Sequence, residues 1–215
     1  MTSPARAHRE AQAAIQSQDA DLSEMTEYRR LLQSLQADKA IIKGLNGVSD
    51  KIAAKTEMLP RYAEWLSGVI ESGQVQSDDR ITPTCLIWLI DTGRIDEAMP
   101  LAETAIRAGV ESSDEYQRSL PEIIVEEAAE RIAAGADVSP EHINTLVAWA
   151  SGKNESGLHI LNMADQIRAK MLKAAGERAE EAGDAALALS RYRAAVAYND
   201  KIGVKKRIAA LEKAA

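Results

Sequence analysis

The sequence lacks the residues on which several classes of protein depend. Its 215 residues include one cysteine, three histidines and no phenylalanine. A single cysteine excludes an intramolecular disulfide framework, and the scarcity of cysteine and histidine argues against a zinc site. Aromatic residues make up only 4% of the chain. Because alanine, leucine, isoleucine and glutamate are plentiful, the composition favours α-helices over a β-sandwich.

Long apolar runs and nucleotide-binding motifs are also missing. No stretch approaches the length of a membrane span, and the N-terminus has no continuous apolar segment. We therefore expect a cytoplasmic protein with no membrane partner. The string G-x-x-x-x-G-K-[ST] does not occur, since Gly152-Lys153 is followed by Asn154. Any ATPase activity must therefore belong to a partner.

The apolar pattern predicts an all-α fold of stacked antiparallel helical hairpins with a long N-terminal helix. Residues 1–20 are polar and predict a flexible N-terminal arm. Residues 21–58 predict a basic helical region for DNA binding, oligomerisation or both, interrupted at Asn46-Gly47. Residues 59–215 predict an α-helical hairpin domain, in which one long helix runs from Leu158 to Ala182.

The stretch from residue 59 to residue 93 predicts a hairpin of two helices. The first helix ends at Gly73, and the second begins after Asp78-Asp79 and ends at Gly93. Two of the three tryptophans and the cysteine occur on the apolar stripes of these helices. We therefore assign their side chains to the core: Trp65, Trp88 and Cys85.

Small or aromatic residues follow two glycines with the same spacing. They lie 5, 9 and 12 positions after Gly93 and after Gly183. Such residues let neighbouring helices approach closely, as in the second helix of tetratricopeptide-like hairpins. Two units of irregular period do not make a repeat array. Pro100, beyond the first turn of one of these helices, should kink the helix or displace its start.

The net charge of −7 is unevenly distributed along the chain. Residues 1–60 carry eight Lys/Arg against eight Asp/Glu, residues 61–150 carry six against seventeen, and residues 151–215 carry twelve against eight. An acidic middle is therefore flanked by less acidic ends.

The N-terminal region contains a candidate DNA-binding ridge. Positions 39 to 55 carry a lysine at every fourth residue, except that Gly47 stands at the third of these five positions. Two arginines precede the lysines, and the set is Lys39, Lys43, Lys51, Lys55, Arg29 and Arg30. On a continuous helix the lysines would align and could follow phosphates. Two other interpretations are open. The ridge is a solvated face weakened by Asp38 and Asp50, or the helix breaks at Gly44 to Gly47 and forms a helix-turn-helix.

A second basic cluster lies near the C-terminus and consists of Lys205, Lys206 and Arg207, followed by Lys213. These side chains could contact DNA or an acidic partner. They could equally interact with the negative end of the final helix dipole.

Four carboxylates, Asp78, Asp79, Asp91 and Glu64, are weak candidates for catalysis. Clustered carboxylates could hold Mg²⁺ for a nuclease. However, Asp79 and Asp91 would be about 18 Å apart along a helix, and Asp78 and Asp79 are also suited to helix capping. We therefore assign no catalytic residue and predict no cofactor, with Mg²⁺ required only under the nuclease interpretation.

An ordered set of short motifs runs through the chain from about Tyr28 to the C-terminus. The motifs are Leu59-Pro60, Trp65, Gly68-Val69, Gly73, Asp78-Asp79, Trp88, Asp91-Thr92-Gly93, Ala182-Gly183-Asp184 and Gly203-Val204-Lys205-Lys206. Together they resemble the small terminase subunit of peduovirus-like tailed phages, a family that is also labelled terminase endonuclease subunit.

The resemblance implies a protein of the host cytoplasm that acts during phage assembly. Such a protein would recognise concatemeric phage DNA, assemble as a homo-oligomeric ring and deliver the DNA to the large ATPase-nuclease subunit. A ring presents many weak sites at once, so avidity could reconcile DNA binding with a negative chain. Two alternatives stay open: the chain is itself a Mg²⁺-dependent DNA endonuclease, or it is a helical adaptor without DNA contact.

Overall fold

The computed structural model describes residues 27–112 and 118–214. Within these ranges the regular structure is helical, apart from one isolated antiparallel bridge between Lys153 and His159. The predicted all-α fold is confirmed, whereas its tetratricopeptide-like character stays a prediction. The chain divides into two compact units after Val48. The arm predicted over residues 1–20 lies outside the described residues.

The described helices are α1 over residues 27–44, α2 Val48–Met58, α3 Ala63–Ser72, α4 Ile81–Asp91, α5 Ile95–Arg107, α6 Leu120–Ala133, α7 Pro140–Ser151, α8 Asp165–Glu181, α9 Ala185–Tyr198 and α10 Lys205–Ala214. A 3₁₀ turn over Leu59–Tyr62 separates α2 from α3. None of the described helices is both long and apolar enough to span a bilayer.

In the first unit, α1 buries a narrow stripe that includes Leu35 and Asp38. Ile41 of the same helix is 55% exposed. Residues 45–47 are not helical. The predicted interruption at Asn46-Gly47 is therefore confirmed.

In the second unit, α8 is the central helix. It packs most extensively against α9 and also contacts α6 and α7, while α4 contacts α5 and α6. Three residues connect α4 to α5 (92–94), and three connect α8 to α9 (182–184). Because each connection is short and the joined helices pack together, both pairs form helical hairpins.

The residues predicted to allow close helix packing are buried. Three alanines of α5 and three residues of α9 are at most 1% exposed: Ala98, Ala102, Ala105, Ala188, Tyr192 and Ala195. At Gly176 of α8, an added Cβ atom would lie 2.6 Å from Cε1 of Tyr192, so this position has no room for a side chain. Pro100 lies inside α5, which begins at Ile95, and it does not displace the helix start.

Both hairpin turns use the same helix ending. Gly93 and Gly183 have φ angles of +79° and +80°. The next N–H groups, of Arg94 and Asp184, donate to carbonyls five residues back at 2.8 and 2.9 Å. This Schellman arrangement satisfies the last carbonyls of α4 and α8 and reverses the chain.

The predicted helix from Leu158 to Ala182 is wrong at its start, because α8 begins at Asp165. Residues 152–160 form a short hairpin instead. Arg168 of α8 stabilises this segment, since its buried guanidinium donates to the carbonyls of Ala150 and Leu161. These hydrogen bonds override the apolar spacing that predicted a helix.

Candidate nucleic-acid interface

Helix α1 places three of the predicted DNA-binding cations on one face. At about 100° per residue, Arg29, Lys39 and Lys43 fall within an arc of about 80°, and all three are exposed. Gln33 and Gln36 are also exposed and lie beside them. These five residues are called the α1 basic face. Arg30 is exposed as well, but it lies outside this arc.

The two carboxylates of α1 lie on the opposite side of the helix. Glu27 and Asp38 are about 160° and 180° from Arg29 around the helix axis, and Asp38 is only 3% exposed. Asp38, which was expected to weaken the basic field, thus lies on the buried side of the helix and not between the cations. The α1 basic face therefore contains three cations and no carboxylate.

The interrupted helix does not form the continuous ridge of four lysines. Lys51 and Lys55 belong to α2 in the second unit. Lys55 donates to Asp91 at the end of α4, and Arg131 lies 3.6 Å from the other carboxylate oxygen of Asp91. The charge of Lys55 is thus neutralised within the protein. A break between α1 and α2 is what the helix-turn-helix interpretation requires.

Asp79 caps the start of α4. Its carboxylate is 3% exposed and accepts from the Ile81 N–H at 2.7 Å and from the Thr82 hydroxyl at 2.5 Å. The indole N–H of Trp65 donates to the same carboxylate at 3.4 Å. The predicted capping role of Asp79 is therefore confirmed, and its oxygens are occupied by α3 and α4.

The four candidate carboxylates do not form one site. Asp91 lies at the opposite end of α4 from Asp79 and binds Lys55 and Arg131, while Asp78 and Glu64 are exposed. In the described parts of the chain, no three His, Cys, Asp or Glu side chains are grouped closely enough to hold a metal ion. The described carboxylates thus do not fit the Mg²⁺ site that the nuclease interpretation requires.

A Ser-His-Asp set connects α5 and α7 but has the geometry of a helix cap. Nδ1 of His142 lies 2.7 Å from Oδ1 of Asp96 and 3.0 Å from Oγ of Ser139. Because one nitrogen faces both partners, the set lacks the serine–imidazole–carboxylate relay through two ring nitrogens. Burial raises the pKa of Asp96, but hydrogen bonds from His142 and Ser139 outweigh it and leave the pKa below its ordinary value.

The C-terminal basic cluster is divided between internal and exposed side chains. Arg207 donates to the Tyr192 hydroxyl at 2.9 Å and to Glu180 at 3.2 Å, and it lies 3.5 Å from Glu177. Burial of Tyr192, together with its hydrogen bond to Glu180, raises the pKa of Tyr192 to about 12. Arg207 therefore holds α10 against α8 and α9, whereas Lys205 and Lys206 are exposed.

The helix dipole does not explain this cluster. Lys205, Lys206 and Arg207 occupy the first turn of α10, where the dipole is positive, and Lys213 alone of the four is in the last turn. The interpretation that the first three interact with the negative end is wrong. The sequence did not show where α10 begins, and the sign of the interaction depends on that position.

The core assignment is confirmed for Trp88 and Cys85, which are buried. Trp88 makes an edge-to-face contact with Tyr62, with ring centroids 6.2 Å apart. Trp65 is only partly buried.

Sequence analysis missed two members of the α1 basic face, Gln33 and Gln36. The four-residue spacing that groups the lysines across the break does not include these two glutamines. A projection of those residues down the helix axis places Gln33 and Gln36 beside Arg29 and opposite Asp38. The sequence of residues 27–44 therefore contains the pattern that identifies both glutamines.

Comparison with known proteins identifies the family. The profile of the family described as "Phage small terminase subunit" matches residues 32–149. The chain is 33% identical over 216 residues to the "Terminase, endonuclease subunit" of Escherichia phage P2, covering 99% of this chain and 85% of that relative. It is 23% identical over 205 residues to the "Probable terminase, endonuclease subunit" of Haemophilus phage HP1 (strain HP1c1), covering 91% and 73%. No solved structure matches.

The family profile covers more than half of the chain, and the similarity to the phage P2 protein extends over almost all of it. The α1 basic face begins just before the matched region and continues into it. The chain belongs to the phage small terminase subunit family.

Proposed function

We propose that this chain is the DNA-recognition subunit of a phage packaging machine. It binds concatemeric phage DNA and delivers that DNA to the large ATPase-nuclease subunit. Membership of the small terminase family supports the packaging role. The observation that carries the DNA-binding part is the α1 basic face, where three exposed cations share one side of a helix whose carboxylates lie on the other.

The dimensions of the α1 basic face suit a nucleic-acid backbone. Arg29 and Lys43 are 14 positions apart, which is about 21 Å at 1.5 Å per residue. Such a face can neutralise several phosphates, and the released counterions drive binding. Gln33 and Gln36 can add hydrogen bonds to phosphates or base edges.

Further exposed or partly exposed cations are candidates for peripheral phosphate contacts: Arg30, Lys51, Lys205 and Lys206. The structure gives none of them an ion pair with another described residue. Lys55 belonged to the predicted DNA-binding ridge and Arg207 to the second basic cluster, but we propose that both act mainly as structural ion-pair partners.

We propose that several copies act together as a homo-oligomeric ring. Three cations on the α1 basic face give a single chain a weak interaction with DNA. A ring presents this face many times, so the overall affinity rises through effective concentration without any new contact. This explains how a chain of net charge −7 can bind a polyanion.

The test compares two variants that each lose three positive charges. Arg29→Gln/Lys39→Gln/Lys43→Gln removes the cations of the α1 basic face. The control Arg107→Gln/Lys153→Gln/Lys201→Gln removes three exposed cations elsewhere. We expect the first variant to lose about tenfold or more in DNA affinity, and the control to bind like the wild type.

Equal losses in the two variants would refute the assignment to α1. A wild-type chain that does not bind DNA would refute the recognition proposal and favour the helical adaptor.

A second candidate function is Mg²⁺-dependent endonuclease activity, because both relatives carry the words "endonuclease subunit" in their names. It ranks second because the candidate carboxylates do not form a metal site. We expect no cutting of phage DNA by the purified chain with Mg²⁺ in the absence of the large subunit. Cutting that is lost in Glu64→Gln or Asp78→Asn would establish the endonuclease instead, since neither exposed side chain caps a helix.

A further inference from the structure

A strip of short uncharged side chains runs along the exposed side of α1. Four residues form it, and all of them are exposed: Gln33, Gln36, Ala37 and Ala40. At about 100° per residue, the four positions fall within an arc of about 100°. Leu35 and Asp38, each about 150° from the middle of this arc, are buried. These four exposed residues are called the α1 neutral strip.

Cations border the α1 neutral strip on both sides. Around the helix axis, Lys43 and Lys39 lie about 20° and 60° outside one edge of the strip, and Arg30 lies about 20° outside the other edge. All three side chains are exposed, and the structure gives none of them an ion pair with another described residue. Arg29 lies about one turn before Gln33, near the start of α1. The helix therefore offers positive charge to two rows of phosphates, one on each side of the strip.

This arrangement has the dimensions of the major groove of B-DNA. The groove is about 12 Å wide and admits an α-helix, with a phosphate backbone along each edge. From Gln33 to Ala40 the strip rises about 10.5 Å, which corresponds to about three base pairs at 3.4 Å each. Because two of the four side chains are single methyl groups, the helix backbone can approach the bases closely. A helix in the groove would then place the strip against the base edges and the bordering cations against the two backbones.

We propose that the α1 neutral strip reads base edges in the major groove of double-stranded DNA and prefers A·T pairs. This inference rests on the proposed function and adds sequence specificity to it. The side-chain amides of Gln33 and Gln36 match the N7 acceptor and N6 donor of adenine, and the methyl groups of Ala37 and Ala40 suit the methyl group of thymine. The cations contact phosphates, which fixes the position of the helix without reading the sequence.

The helix after the break is less suited to base readout. The exposed side of α2 carries Asp50 and Glu57, which lie about 20° apart around the helix axis. If α2 entered a groove, these carboxylates would be brought close to phosphates of the same charge. Lys55 of α2 is neutralised by Asp91. Base readout therefore belongs to α1, although a helix-turn-helix would usually assign it to the second helix.

The main experiment measures sequence preference. The purified wild-type chain first selects sites from a library of random double-stranded DNA, and we expect these sites to share a core of about three base pairs rich in A·T. Gln33→Ala/Gln36→Ala should then lose about tenfold or more of the preference for a selected site over a scrambled site. The salt dependence of its binding to the scrambled site should stay that of the wild type, because the phosphate contacts remain.

A matched control removes two exposed glutamines outside α1. Gln74→Ala/Gln166→Ala should keep the full preference for the selected site. A loss of preference in this control equal to that of the α1 variant would refute the assignment to the strip.

A second variant tests the close approach of α1 to the bases. Leucine favours a helix almost as well as alanine does, so Ala37→Leu/Ala40→Leu should keep its helicity by circular dichroism. The larger side chains should lower the affinity for the selected site about tenfold or more and leave the affinity for the scrambled site nearly unchanged. Equal effects on the two sites, or no effect, would contradict insertion of the strip into the groove.

A third variant tests contact with the second backbone. Arg30→Gln should make the slope of log affinity against log salt shallower by about 0.9 per bound subunit, on the selected and the scrambled site alike. An unchanged slope would show that phosphates meet only the lysine side of α1, which contradicts the groove geometry.

The outcomes separate this inference from the proposed function. A wild type that binds DNA but selects no shared sequence, or a glutamine variant that keeps its preference, overturns the inference and leaves DNA binding through the cations in place. Loss of preference in Ser49→Ala/Thr56→Ala, with the glutamine variant unaffected, overturns it in favour of α2. A wild type that does not bind DNA overturns both the inference and the proposed function.

Discussion

Two adjacent aspartates before α4 lie in different environments. Asp79 is buried and accepts hydrogen bonds from Ile81 and Thr82 of the first turn, whereas Asp78 is exposed. A side chain that satisfies a free N–H at a helix start stabilises the helix, and a buried N–H without a partner is costly. The pair therefore provides a substitution and its control at neighbouring positions.

We predict that Asp79→Ala lowers the free energy of unfolding by about 2 kcal/mol. Asp78→Ala should change it by less than about 0.5 kcal/mol. Urea denaturation followed by circular dichroism measures both values. Similar changes in the two variants would show that Asp79 is not the cap of α4.

Glu127 of α6 has a raised pKa. Burial is the main cause, and the nearby carboxylates of Asp91, Glu130 and Glu126 add to it, while Arg118 acts in the opposite direction. In the pH range between the ordinary pKa and the raised one, the folded state binds more protons than the unfolded state. The stability contributed by this group therefore falls as pH rises through that range.

We predict that Glu127→Gln is more stable than the wild type at pH 7, because the buried charge is removed. The gain should shrink as pH falls from the raised pKa to the ordinary value of 4.5, because below that range the wild-type side chain is protonated in both states. Denaturation curves at pH 7 and near pH 4 give the comparison. Glu130→Gln is the control, since Glu130 is 55% exposed and pairs with Lys170. An equal gain at both pH values would contradict the inference that the buried charge of Glu127 destabilises the folded state.

At the residue scale, the sequence predicted the roles of those side chains that interact with residues close to them along the chain. Asp79 caps α4 by accepting from residues two and three positions further along the chain. The sequence rule for helix capping covers such short separations. The pair Lys55–Asp91 joins residues 36 positions apart, and Arg207 meets Glu180 at a separation of 27. No local pattern indicates such pairs. The spacing therefore makes Lys55 a candidate for DNA binding and leaves Arg207 open between DNA, an acidic partner and the helix dipole.

At the element scale, helix α8 and helix α9 meet at a position where only glycine fits. The ring of Tyr192 is fully buried against Gly176, and its hydroxyl donates to Glu180 at 2.6 Å. The ring therefore cannot withdraw without losing this hydrogen bond. Gly68 of α3 is the contrasting case, because an added Cβ atom there meets no other atom within 4 Å.

We predict that Gly176→Ala lowers the free energy of unfolding by about 1–3 kcal/mol through overpacking. Gly68→Ala should raise stability by up to about 1 kcal/mol, because alanine favours a helix more than glycine does. Thermal unfolding of both variants provides the measurement. A stabilising Gly176→Ala would mean that α8 and α9 are not packed this closely.

Helix boundaries were predictable where glycine, proline or a cap marked them. The turns at Gly93 and Gly183 and the small residues that follow them were read from spacing, and the structure buries those residues. The start of α8 was missed because residues 158–164 have helical apolar spacing but are held otherwise by Arg168. A buried arginine that binds backbone carbonyls is a tertiary feature without a sequence periodicity.

At the scale of the whole molecule, the sign of the net charge does not decide whether the chain binds DNA. The acidic residues are concentrated between residues 61 and 150, while the α1 basic face lies before that range and is free of carboxylates. Affinity for a polyanion depends on the cations that touch phosphates, and counterion release counts those contacts directly. The salt dependence of binding is therefore more informative than the affinity at one salt concentration.

The most direct test is the slope of log affinity against log salt concentration, with double-stranded phage DNA. We predict a steep negative slope for the wild type and a slope shallower by about 2–3 per bound subunit for Arg29→Gln/Lys39→Gln/Lys43→Gln, because each lost phosphate contact removes about 0.9. The control Arg107→Gln/Lys153→Gln/Lys201→Gln should keep the wild-type slope. An unchanged slope in the α1 variant would contradict DNA recognition through this face.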